Sequence, residues 1–201
     1  MKKYDVVYGT VPTAEIEINK NELAQRLGTD RTFEHSAIDL CLNDFNQVVN
    51  YRYAYVLTPV NFVGENICNL GFGNIVSKNL FENLHGCNSA IVLAVTTGLG
   101  VDRLLKKLSV VSQARHFITD GIASAAAESL CDYMDNLLRK GNKIPHRFSP
   151  GYGDLPLQIQ PDLLTILNSS KNVGITLNNS LLMTPVKSIT AIMGVKDEIN
   201  T

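Results

Sequence analysis

The stretch Ala90-Ile91-Val92-Leu93-Ala94-Val95-Thr96-Thr97-Gly98 is an apolar run closed by two threonines and a glycine. A run this short, rich in aliphatic residues and bounded by turn residues, predicts a buried strand rather than a helix. The next segment predicts a helix from about Val101, with Leu104, Leu105, Leu108 and Val111 on its inner side. A second, longer helix is predicted from about Asp120 to Arg139. Asp120 suits its N-cap, Gly141 its stop, and Ile122, Ala126, Leu130, Met134 and Leu137 form one apolar stripe. Gly121, Ala123, Ser124, Ala125, Ala126 and Ala127 make its first turns thin, so that another backbone or a ligand can approach closely.

Upstream, Asn21 to Leu27 has Leu23 and Leu27 at helical spacing before Gly28, and Phe33, Ala37, Leu40 and Cys41 continue the period in another helix. The first quarter therefore reads as helical. Tyr51, Tyr53, Tyr55 and Leu57 alternate with Arg52, Ala54 and Val56 up to Thr58-Pro59, which predicts a strand, and Ser77 to Leu84 predicts a short helix closed by Gly86. Downstream, proline and glycine gather in a loop at 145–156. A helix with Pro161 in its first turn follows over Pro161 to Leu167, then strands over Val173 to Leu177 and Ser188 to Val195. This mixture of elements implies an α/β or α+β layered fold.

With 201 residues, 45% of them apolar and 18% charged, the chain is expected to enclose one core as a single domain spanning residues 1–201. Its 18 basic and 19 acidic residues give a net charge of -1, which offers no field for a nucleic-acid backbone or an anionic membrane. Cys41, Cys68, Cys87 and Cys131 form no CxxC pair and read as reduced, buried thiols. The longest apolar run is far too short to span a bilayer and no leader is evident, so a cytoplasmic location is expected.

Four features carry candidate chemistry. Gly98-Leu99-Gly100 joins a strand to a helix as phosphate loops do, but Arg103 stands where the dinucleotide pattern has its third glycine, and an ordinary tight turn is the better reading. Glu128, Asp132 and Asp135 form an acidic row on the long helix, away from the apolar stripe. Such rows are usually solvated, yet Glu128 lies one turn after Ser124 on the thin part, where a carboxylate can hold an ammonium group. His35, His85, His116 and His146 have no metal-ligand spacing, and no Gly-x-Ser-x-Gly elbow exists. The densest signal is His146-Arg147-Phe148-Ser149-Pro150-Gly151-Tyr152-Gly153-Asp154-Leu155-Pro156-Leu157. Prolines and glycines keep this loop out of a strand ladder, which leaves backbone groups to read a ligand, while a merely structural loop is an equal reading of the same residues. Arg147 offers a fork for a carboxylate, and Tyr152 a flat face with a hydroxyl.

Arg147-Phe148-Ser149-Pro150-Gly151-Tyr152 matches an Arg-x-x-Pro-Gly-Tyr signature, and three further segments agree with it in order: Ala90 to Gly98, the alanine-rich helix Asp120 to Asp132, and Ile175 to Ser188. Over about residues 68–194 the chain thereby resembles the activation (reactivation) domain of cobalamin-dependent methionine synthase, with residues 1–60 as a divergent N-terminal part. The expected fold becomes α+β (mixed α/β), one layered domain with a bent, largely antiparallel sheet flanked by helices. The resemblance implies S-adenosylmethionine as ligand. Arg147 would hold its carboxylate, Glu128 would lie near its amino group, Ser149 would meet the adenine through its backbone, and Pro150, Gly151 and Tyr152 would shape the pocket. The family's N-terminal aspartate has no single counterpart among Asp5, Asp30, Asp39 and Asp44, and the aromatic contact that the family provides near its C-terminus is expected to be lacking here.

The function so implied is a module acting in trans that positions S-adenosylmethionine for reductive methylation of cob(II)alamin, a positioning task that needs no catalytic triad. The chain has no Asp-x-His-x-x-Gly corrinoid motif. The expected partner is therefore a corrinoid-binding methionine synthase that carries the cobalamin and lacks its own activation domain. A flavodoxin or ferredoxin-type reductant is expected with it. The alternatives are an accessory protein that binds S-adenosylmethionine for another corrinoid methyltransferase, and an independent small-molecule methyltransferase.

Overall fold

The computed structural model describes residues 4–28, 35–139 and 146–196. In chain order the elements are β1 (Val7–Thr10), α1 (Lys20–Leu27), α2 (His35–Val48), β2 (Arg52–Pro59), β3 (Asn61–Gly64), β4 (Ile67–Asn69), β5 (Asn74–Val76) and α3 (Lys78–Asn83). They continue with β6 (Ser89–Thr96), α4 (Leu99–Val111), α5 (Gln113–Arg139), α6 (Gln160–Ile166), α7 (Ser169–Asn172), β7 (Thr176–Leu177), β8 (Met183–Thr184) and β9 (Ser188–Val195).

The apolar run at 90–95 forms most of β6, an inner strand of an antiparallel sheet ordered β1-β2-β6-β9. Because side chains alternate along a strand, this run divides between two cores. Ile91, Leu93 and Val95 join Phe45, Ile122, Leu130 and Met134 beneath the helical layer of α1, α2, α4 and α5. Ala90, Val92 and Ala94 join Leu80, Leu84, Leu163, Leu167 and Ile192 on the other face, beside the small β3-β4-β5 sheet, α3 and α6. The antiparallel sheet flanked by helices is the expected α+β architecture. Among the described residues no helix is long and apolar enough to cross a membrane, and all four cysteines are buried as free thiols.

Several boundaries differ from the sequence reading. The long helix begins at Gln113, because Ser112 caps it: the Ser112 hydroxyl accepts from Arg115 N and its carbonyl from His116 N. Asp120 is thus a side chain on the second turn, not a cap. Leu40, Val111 and Leu137 are exposed rather than inward; each ends an apolar arc that α2, α4 or α5 turns away from the core. The predicted strand from Val173 shrinks to Thr176–Leu177, since the N–H groups of Val173, Gly174 and Ile175 all turn back to the Ser169 carbonyl. The first quarter is not wholly helical, because β1 pairs with β2. Phe33 and Gly141 lie outside the described residues.

Candidate functional site

The long α5 helix organises the site. Asp120, Ser124, Glu128, Asp132 and Asp135 recur at steps of three and four, so they share one face. The acidic row is not merely solvated, as its spacing alone implies, because two other segments bring cations to it. Lys187, just before β9, places its ammonium 2.7 Å from Asp120 and 2.8 Å from the Ser124 hydroxyl. Arg147, from the proline- and glycine-rich loop, donates to Asp132 and, at 3.0 Å, to Glu128, with Asp135 at 3.9 Å. Burial opposes the charge on Arg147, yet the Asp132 and Glu128 carboxylates beside it push its pKa above the ordinary arginine value. Burial pushes the Cys131 thiol up to about 12, so it sits there as a neutral thiol.

The loop carrying Arg147 is anchored at both ends. Phe148 exchanges two backbone bonds with Ile192 on the outer edge of β9. Asp154 accepts from the Ser77 hydroxyl and from the N–H groups of Lys78 and Asn79, which fastens the loop to the start of α3. Gly153, at φ +54, meets Asn79 so closely that a Cβ would fall 2.5 Å from its side-chain oxygen. The loop also closes on itself, with Gly151 N bonded to Leu155 O, Tyr152 N to Ser149 O and Leu155 N to Tyr152 O. Most of the backbone groups that the sequence reading leaves free for a ligand are thus occupied; a turn rich in proline and glycine still satisfies itself locally. Ser149 N–H has no partner among the described residues.

Between this loop and residues 181–190 lies an open cleft of about 760 Å³. Of the residues singled out from the sequence, Glu128, Arg147, Ser149, Pro150 and Tyr152 line it, while Gly151 supports the turn from outside, at φ +90. Tyr152, Leu157, Leu182 and Val186 give it an exposed apolar rim. The segment Ile175 to Ser188, quoted above for its pattern, supplies the opposite wall through Leu181, Met183 and Val186. Asp102 at the start of α4 holds that wall by accepting from Val186 N with both oxygens, at 3.1 and 3.0 Å.

Sequence reasoning missed Gln160 and Thr190, both 3% exposed and both lining the cleft. The Thr190 hydroxyl donates to the Gln160 amide oxygen at 3.0 Å, and the Gln160 amide nitrogen donates to the Met183 sulfur at 3.1 Å. A glutamine at a helix start carries no burial signal, although Thr190 within an otherwise apolar strand is a visible irregularity. Asp5, Asp39 and Asp44 do not line the cleft, Asp44 being paired with Arg115, and Asp30 lies outside the described residues. The Gly98-Leu99-Gly100 turn is a packing feature: a Cβ on Gly100 would come 2.3 Å from the Val48 carbonyl oxygen at the end of α2. Among the described residues no cluster of histidine, cysteine, aspartate or glutamate is arranged to hold a metal.

Chemically, the cleft offers a guanidinium among carboxylates at one end, a Ser149 N–H without a partner among the described residues, an apolar rim and a buried carboxamide. This combination suits a zwitterionic group joined to a flat, partly apolar body. No family model matches the chain, and no curated protein matches it in sequence. Among solved structures it is similar to the crystal structure of the MetH reactivation domain bound to AdoHcy, with a TM-score of 0.70 and 16% identity over 100% of this chain and 81% of that one. At that identity the likeness establishes a shared fold.

Proposed function

We propose that the cleft binds S-adenosylmethionine and that the chain serves as a reactivation module acting in trans on a cobalamin-dependent methionine synthase. The observation that carries this reading is Arg147, poised with Glu128 on the wall of a ligand-sized cleft, in a fold shared along its whole length with a reactivation domain bound to AdoHcy. In this reading the Arg147 fork takes the ligand's carboxylate and Glu128 its ammonium group. Ser149 N–H faces the adenine, while Pro150, Gly151 and Tyr152 shape the surrounding wall. The cobalamin belongs to a corrinoid-binding partner lacking such a domain, and it supplies the centre that is reductively methylated. Electrons come from a flavodoxin or ferredoxin-type reductant. The chain's own contribution is to hold the methyl donor in one orientation, which requires no acid or base of its own.

Calorimetric titration tests the reading. The wild-type protein is expected to bind S-adenosylmethionine saturably, and Arg147→Ala at least about tenfold more weakly, as loss of a charge-assisted pair predicts. Added to an oxidised methionine synthase that lacks its activation domain, with reductant, the chain should restore turnover. Failure of the folded wild-type protein to bind S-adenosylmethionine or to rescue turnover would refute the proposal.

A further inference from the structure

Arg147 is already engaged within the chain itself. Its Nη2 donates to Glu128 at 3.0 Å and its Nη1 to Asp132, so each terminal nitrogen of the fork faces a carboxylate. The two acids stand one turn apart on α5, but their places differ. Glu128 lines the cleft, whereas Asp132 stands outside the lining and is half exposed. Asp135, at 3.9 Å, is beyond hydrogen-bond reach of the fork. The backbone at Arg147 has anchors besides these pairs. Phe148 exchanges two bonds with Ile192, and Asp154 fastens the other end of the loop to the start of α3. Removing the Asp132 charge therefore leaves the loop and the Glu128 contact in place.

An arriving amino-acid head group treats the two acids unequally. Under the proposed function the ligand's carboxylate comes to Arg147 and its ammonium group to Glu128, so Glu128 exchanges one cation for another. Asp132 receives no such replacement, since Arg147 is its cation among the described residues. If Asp132 yields the guanidinium, it loses a charge-assisted hydrogen bond. If it stays, the incoming carboxylate becomes a second anion on one cation, and like charges a few ångströms apart repel. Either course opposes binding, and only for ligands that carry a carboxylate.

We infer that Asp132 is an internal competitor for Arg147, an autoinhibitory contact that sets how tightly the cleft takes a carboxylate-bearing ligand. The inference rests on the proposed function and adds to it the regulation of that site. The cleft is competent for a carboxylate in the fraction of molecules whose Arg147 has left Asp132, and the apparent affinity falls by that fraction. The pair lies between the fully exposed and fully buried limits, which sets the handicap at about three- to tenfold. Asp132 thus acts through Arg147 and need not touch the ligand.

The test measures two ligands on two proteins by calorimetry. Asp132→Asn keeps the shape of the side chain and removes its charge, and circular dichroism checks its fold. It should bind S-adenosylhomocysteine about three- to tenfold more tightly than wild type, although its urea midpoint is lower. 5′-Methylthioadenosine, which has the nucleoside and the thioether but no amino-acid head group, should bind both proteins alike. A side chain with only a structural role cannot raise affinity for one ligand, lower stability and leave the other ligand unmoved. Asp132→Ser supplies the same comparison if the asparagine variant does not fold. A folded variant that binds S-adenosylhomocysteine no more tightly than wild type overturns the inference and leaves the proposed function standing. So does a gain that 5′-methylthioadenosine shares. If neither S-adenosylmethionine nor S-adenosylhomocysteine binds wild type or variant, the reading of the cleft falls, and the inference with it.

Discussion

Replacing Arg147 by alanine should be felt in stability before any ligand is added. The guanidinium is 24% exposed and faces Glu128, Asp132 and Asp135, whose side chains are 35%, 50% and 13% exposed. Pairs in full solvent contribute about 0.2–1 kcal/mol, and breaking a fully buried pair costs about 3–5 kcal/mol. With the environment between those limits, the loss should be about 2 kcal/mol, because three carboxylates are left facing one another. For a chain of this size that corresponds to a fall in Tm of roughly 4–8 °C. A double-mutant cycle isolates the cause. Asp132→Asn alone removes one attractive partner, but in the Arg147→Ala background it removes a repelling charge, so the two changes should couple by about 1 kcal/mol in urea unfolding. The coupling should shrink with salt in proportion to Asp132's exposure. If the two substitutions add within about 0.5 kcal/mol, the acidic row is not engaged by Arg147 in solution and the arrangement of the cleft wall must be redrawn.

Two further outcomes follow from the same geometry. Burial pushes the thiols of Cys131 up to about 12 and of Cys68 up to about 11, so iodoacetamide at pH 8 should leave both unlabelled in the native protein and label them in urea; rapid native labelling, read by mass spectrometry, would show that the cores open. Asp154 is held below the usual carboxylate range, first by the Ser77 hydroxyl and then by the Lys78 and Asn79 amides. Its contribution is therefore fully present above its unfolded value of about 3.9 and lost as pH falls through the lower folded value. The gap in urea midpoint between wild type and Asp154→Ala should be constant from pH 7 to 5 and close below about pH 4, and a gap independent of pH would contradict this.

The central strands were legible because their side chains answer to two cores at once. The run at 90–95 leaves no polar position to expose, and after Ser188 the run to Val195 is interrupted only by Thr190, so both strands fall where the sequence places them. The strands β3, β4 and β5 are three or four residues long and interleaved with Asn66, Asn69, Gly71, Gly73 and Asn74, a composition that reads locally as turns. Their existence depends on pairing with one another and on Cys68, Leu70 and Ile75 reaching the second core. The start of α5 was misplaced for a related reason: Asp120 is a good cap by type, but Ser112 is the residue whose extended backbone ends α4 and lets its hydroxyl cap α5.

For the cleft, residue chemistry was legible and residue partnership was not. The sequence marks Arg147 as a carboxylate fork and the row on α5 as acidic, but nothing in either segment says that they meet. Their meeting follows from β9, which places Lys187 at its start and bridges Phe148 at Ile192, so that the two segments bounding the cleft arrive on the same face of one helix. From Asp120 to Asp135 that face extends about 22 Å at 1.5 Å per residue. Lys187 fixes one wall near its beginning and Arg147 the other near its end. Beyond the stability they contribute, these ion pairs register two otherwise separate segments against a rigid element. The small residues at 121–127 then acquire a reason beyond thinness. Ala123, Ala125 and Ala126 are fully buried, and they let α5 lie close against its neighbours while the polar face that holds both walls remains open to the cleft.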